Sequence, residues 1–178
     1  MSALHFQSFG SLEGLEIAIK AMSRAIELTP DSYPDMPERL NSLGDYFSKR
    51  FERLGELEDL EHAIDTTSLA VSLTPDGHPH IPGRLSNLGN HFSSRFNRLG
   101  KLEDLEHAIN ITNRAISLTP DGHPDLLMRL SNLGGIFRSR FERLGKPGDL
   151  EHAIDATSRA ISLTPDGHPD LPMRLSNL

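Results

Sequence analysis

The chain has 178 residues, with 18 Lys+Arg against 25 Asp+Glu, nine His and no Cys. A formal charge of −7 disfavours unaided binding to nucleic acid, and the lack of Cys excludes disulfides, thiolate metal sites and a Cys nucleophile. No apolar run approaches the roughly 20 residues that span a bilayer, and MSALHFQSFG lacks a basic stretch followed by an apolar core, so a soluble cytoplasmic protein is expected.

A repeat governs everything else. Leu-Thr-Pro ends at Pro30, Pro75, Pro120 and Pro165, each 45 residues after the last. Arg39-Leu40, Arg84-Leu85, Arg129-Leu130 and Arg174-Leu175 keep the same step, as do Leu15-Glu16, Leu60-Glu61, Leu105-Glu106 and Leu150-Glu151. In chain order the period predicts a partial helix over 1–9 and helices over about 13–28, 36–54, 58–73, 81–99, 103–118, 126–144 and 149–163. A second partial helix follows over 171–178, so the whole of 1–178 forms a single array.

The helices alternate between two types. In a first-type helix, Leu85, Leu88, Phe92, Phe96 and Leu99 make one apolar stripe at helical spacing. Asp35, Pro37 and Glu38 give a capping-box start, and Gly55, Gly100 and Gly145 stand where a helix end needs positive φ. In a second-type helix, Leu105, Ala108, Ile109, Thr112, Ala115 and Ile116 share a face. Asp59, Asp104 and Asp149 begin it, favourable for the helix dipole, and Thr-Pro stops it. Neither helix buries its stripe alone, so consecutive hairpins must stack.

The order of large and small residues resembles the tetratricopeptide repeat (TPR). Leu85, Leu88, Gly89 and Phe92 match that family's first helix; Ala108, Ala115 and Pro120 match its second. The large aromatic expected between the alanines is replaced by Met22, Thr67, Thr112 and Thr157. The phrasing LTPDGHPD…RLSNLGN…RFERLG resembles long-period arrays of mushroom-forming fungi, which in that family often accompany CHAT-peptidase or NACHT-type domains. The resemblance implies an all-α fold, a right-handed α-solenoid of stacked antiparallel helix hairpins forming a TPR-like superhelix. It also implies a protein- or peptide-binding scaffold; the alternative is a regulatory or sensor fragment of a larger fungal CHAT-peptidase or NACHT-type receptor protein.

Candidate chemistry is sparse. His62, His107 and His152, like His78, His123 and His168, recur one per repeat; neighbouring helices lie about 8–10 Å apart, too far for residues on successive repeats to share one ion. A structural or turn role is expected, with no metal and no cofactor. Asp121 with Asp125, and Asp166 with Asp170, read as caps and turns rather than an acid–base pair. The Gly motifs do not follow strands and are not phosphate loops. Because Ser, His and Asp all come in repeated sets, no unique triad stands out, and no enzyme is expected. Arg50, Arg95 and Arg140, with Arg53, Arg98 and Arg143, end the first-type helices and read as a solvated, salt-bridged face, with an RNA-binding stripe as the minority view.

In tetratricopeptide arrays the first helices line the concave surface. By that resemblance the peptide-binding face carries Glu38, Asn41, Asp45 and Lys49, then Ser86, Asn90 and Ser94, then Met128, Ser131 and Arg138. Some of these positions are less alike between copies than the core positions, as in Asp45/Asn90/Gly135 and Glu38/Gly83/Met128. The Lys that the family's clamp for chaperone C-terminal carboxylates needs at the Asn41/Ser86/Ser131 position is missing, which disfavours that partner. The partner expected is a protein or peptide, with neither nucleic acid nor membrane. The partial helices 1–9 and 171–178 suggest either a fragment of a longer array or head-to-tail self-association that completes one helix from two molecules.

Overall fold

The computed structural model describes residues 11–30 and 32–164. Among them lie seven helices: α1 (Leu12–Glu27), α2 (Met36–Leu54), α3 (Leu57–Ser72), α4 (Ile81–Leu99), α5 (Leu102–Ser117), α6 (Asp125–Leu144) and α7 (Pro147–Ser162). Residues 1–9, 171–178, Asp166, Asp170 and His168 lie outside the described residues. Among the described residues no strand occurs, and no helix is long and apolar enough to cross a membrane. The fold class is all-α, built of helix hairpins of the α-solenoid kind.

The chain forms two compact units, one through His91 and one from Phe92. In the first, α2 packs on both α1 and α3; in the second, α6 packs on both α5 and α7. Leu15 and Ile19 of α1 cluster with Leu43 and Phe47 of α2 and Ala63 of α3. The equivalent cluster joins Leu105, Ala108 and Ile109 of α5, Leu133, Ile136 and Phe137 of α6, and Ala153 and Ala156 of α7.

The short joint is made by glycine. Gly55, Gly100 and Gly145 have φ of 70°, 69° and 66°, and each N–H donates to the carbonyl of Phe51, Phe96 or Phe141 at 2.7 Å. A left-handed residue here satisfies a helix-end carbonyl and reverses the chain. The second-type helices then begin two residues before the aspartates, so Asp59, Asp104 and Asp149 occupy the third helical position instead of the first.

The long joint is built by Thr and His. The hydroxyls of Thr74 and Thr119 donate to the carbonyls of Ala70 and Ala115 at 2.6 Å, closing α3 and α5. Gly77 and Gly122 then take positive φ, and Pro75 and Pro120 accept from the N–H of His78 and His123 at 3.1 Å. The imidazole Nδ1 of His78 accepts from the His80 N–H, and that of His123 from the Asp125 N–H, both at 3.2 Å. These two histidines therefore cap the next helix, the turn role expected of them. The capping box expected at Asp35 does not form: Asp35 makes no side-chain cap bond, and Glu38 points away to Arg84.

The small residues of the repeat set the interhelix spacing. A Cβ on Gly134 would stand 2.6 Å from Thr157 Oγ1 and 3.3 Å from the Ala153 carbonyl, and one on Gly44 would collide with Thr67 Oγ1. Thr at the position where the family carries an aromatic thus lies directly against the glycine of the preceding helix, and close backbone approach takes the place of ring packing.

Candidate functional site

Each hairpin holds a four-residue cluster at its short joint. Arg95, one turn before the end of α4, meets Asp104 in the first turn of α5 with Nε–Oδ1, Nε–Oδ2 and Nη2–Oδ1 distances of 3.2, 3.1 and 2.7 Å. Arg140 grips Asp149 through Nε at 3.0 Å and Nη2 at 2.6 Å, and Arg50 grips Asp59 through the same atoms. The guanidiniums lie over Phe47, Phe92 and Phe137, 5.2–5.5 Å from the ring centroids. His62, His107 and His152 lie against the same rings with centroids 4.9–5.0 Å apart, stacked for His107 and tilted for the other two. Bonding to Asp59 and to Asp149 raises the pKa of Arg50 and Arg140 further above their ordinary value.

Of the solvated, salt-bridged face expected here, Arg50, Arg95 and Arg140 are salt-bridged but half-buried rather than solvated. Asp59, Asp104 and Asp149 are buried, and a carboxylate placed there requires a cation. Of the arginines that an RNA stripe would use, Arg50, Arg95 and Arg140 are paired inside each hairpin, whereas Arg53, Arg98 and Arg143 are exposed. Among the described residues no cluster of three or more His, Asp or Glu is arranged to hold a metal ion.

A second set of contacts links first-type helices. In the first unit, Arg84 is buried and donates to Thr74 Oγ1 at 2.7 Å and to Glu38 Oε2 at 3.0 Å. Asn87 Nδ2 donates to Asn41 Oδ1 at 3.3 Å and Asp45 Oδ1 at 3.1 Å. Burial pushes the Asp45 carboxyl up; Lys49 opposes this and Glu38 adds to it. The expected residues Glu38, Asn41 and Asp45 are thus drawn together along α2 by side chains of α4, with Lys49 exposed beyond them.

The remaining expected residues fall differently. Asn90 and Ser94 are half-buried on α4, whereas Ser86 is buried, its hydroxyl below the surface and unavailable to a ligand as the helices stand. On α6, Met128 is exposed, Ser131 donates its hydroxyl to the Leu127 carbonyl at 3.0 Å, and Arg138 stands exposed 3.9 Å from Glu142.

Sequence reasoning did not single out Arg84, Asn87, Arg129 or His91. Arg129 is buried with Asp125 at 3.2 Å, and burial lowers the pKa of His91 to about 4. The signal for the arginines was present: Arg39, Arg84 and Arg129 each adjoin a core leucine in every copy.

No protein-family model matches the sequence, and no curated protein matches it. Among solved structures, a putative kinesin light chain of Podospora anserina with nearly identical TPR-like repeats is similar, with a TM-score of 0.67 at 11% identity over 93% of this chain and 74% of that one. In fold, the chain is a TPR-like helical repeat array.

Proposed function

We propose that the chain is a non-catalytic scaffold that binds a protein or extended peptide along the polar faces of its first-type helices. The observation that carries this is a division of labour within the repeat. Arg50, Arg95, Arg140 and their aspartates lock every hairpin by the same pair, whereas the half-buried position held by Asp45 and Asn90, whose side chains can present hydrogen bonds, is Gly135 in the third copy. Glu38, Asn41, Asp45, Lys49, Asn90, Ser94, Met128, Ser131 and Arg138 form the proposed contact set, and Ser86, buried within α4, is left out of it. Side-chain groups of this kind suit a peptide laid along a helix face.

The resemblance to long-period fungal arrays supports a cytoplasmic setting and a place beside a CHAT-peptidase or NACHT-type domain; flanking gene sequence encoding a His/Cys peptidase pattern or a P-loop tests that context. The binding reading is tested by selecting peptides from a random library on the chain and measuring their affinity for Lys49→Glu and Ser94→Arg variants. Losses of tenfold or more are expected. Unchanged affinity in both variants would place binding on another face.

A further inference from the structure

The short joints carry an inference independent of that reading. Aligned by the repeat, they read ERLGELE (52–58), NRLGKLE (97–103) and ERLGKPG (142–148). The arginine, the first leucine and the turn glycine never change, whereas the charge does. The joint of the first unit carries three acids against one base; the two of the second unit carry four bases against two acids. All of these charged side chains are exposed, and Leu54, Leu99, Leu102 and Leu144 stand among them 37–45% exposed.

Within the second unit the two basic joints lie side by side. Arg140 Nη1, one turn before the end of α6, donates to Glu106 Oε1 early in α5 at 2.8 Å, which brings the end of α6 to the start of α5. Within the first unit the charges of Glu16 and Glu58 both act on Arg50, so acids of α1 and α3 gather at the end of α2. Lys101 and Lys146 decide what the basic joints are for. They are the N-cap residues of α5 and α7, make no side-chain cap bond, and pair with no acid among the described residues. A helix start favours Asp, Ser or Thr and repels a cation, so each lysine works against the helix it begins. Glu56 occupies the same place before α3, so the fold does not require a lysine there.

We infer that the chain self-associates through these joints, the basic pair in the second unit of one copy receiving the acidic joint of a second copy. Lys101 and Lys146, with Arg98 and Arg143 beside them, meet Glu52, Glu56 and Glu58, and the exposed leucines present on both sides cover one another. A second copy is the occupant because this chain itself carries the opposite excess of charge around the same Arg-Leu-Gly frame. The two patches are unlike, so the contact is heterologous.

Sedimentation velocity of the full chain, from low to high micromolar concentration, reads the association directly. The sedimentation coefficient should rise with concentration at low salt and rise less at high salt, which screens exposed charges. Lys101→Glu with Lys146→Glu makes all three joints acidic, and Glu52→Asn with Glu56→Lys makes all three basic. Both variants use residues that the repeat already carries at those positions, so helicity by circular dichroism should not change. Each variant alone should associate at least tenfold more weakly than the native chain, and an equimolar mixture of the two should recover the association. A native chain that stays monomeric throughout, variants that each associate as well as the native chain, or a mixture no stronger than its components would overturn the proposal. So would binding to vesicles of anionic lipid by a chain that does not self-associate, which would make a membrane the occupant of the basic joints.

Discussion

Replacing Asp104 by Ala tests whether the Arg–Asp pair holds the hairpin or merely decorates it. The Asp104 side chain is 3% exposed and Arg95 24%, with three contacts between 2.7 and 3.2 Å. Removing one partner of a buried pair costs about 3–5 kcal/mol because the other charge is stranded. Here the stranded group is the guanidinium, a quarter open to water, so Asp104→Ala is expected to cost less than that range, about 2–3 kcal/mol. Loss of an acid from the first turn of α5 adds about 0.3–1 kcal/mol of dipole energy within that total. Arg95→Leu should cost more, about 3–5 kcal/mol, since it leaves the carboxylate buried. The double variant should lose less than the sum of the two. Urea denaturation followed by circular dichroism at pH 7 gives all three values. A cost below about 0.5 kcal/mol for Asp104→Ala, or additive single losses, would refute the reasoning and return the pair to the class of exposed ion pairs.

Three further outcomes follow from local geometry. His91 has a folded pKa near 4 against 6.5 unfolded, so the unfolded state binds its proton first as pH falls. Its contribution is fully present above 6.5 and lost as pH falls toward 4, by about 3 kcal/mol in total; His91→Ile should remove that slope from stability measured against pH. Adjacent glycines of α6 should respond oppositely: Gly134→Ala should destabilise by about 1–3 kcal/mol through Thr157, and Gly135→Ala, with open space beside it, should stabilise by about 0.5–1 kcal/mol in thermal melts. His123→Ala should cost about 0.5–1 kcal/mol by uncapping the Asp125 N–H, and its effect on urea midpoints should be matched by His78→Ala.

The alternation of first- and second-type helices was legible because the apolar stripe and the Gly and Pro joints both recur with one period, and each marks a physical boundary. Gly100 announced a left-handed helix end, and the one-per-repeat spacing of His123 in a Gly- and Pro-rich joint favoured a turn role. The Arg95–Asp104 pair was not read, although both residues recur nine apart. The sequence argument gave each charge its own helix dipole, and only the fold-back at Gly100 shows that the last turn of α4 faces the first turn of α5. Glu38 was misread for a related reason: the capping pattern is local, whereas Arg84, which takes the carboxylate, lies 46 residues away. Ser86 was placed on the binding face by register alone, and register does not say how deep a short side chain lies.

Hydrogen–deuterium exchange of the chain, with and without a peptide selected from a random library, tests the central proposal most directly. The account predicts slowed exchange in α2, α4 and α6, concentrated around Asp45, Asn90 and Ser131, with α3 and α5 unchanged. Protection confined to α3 and α5, or no peptide selected above background, would contradict it.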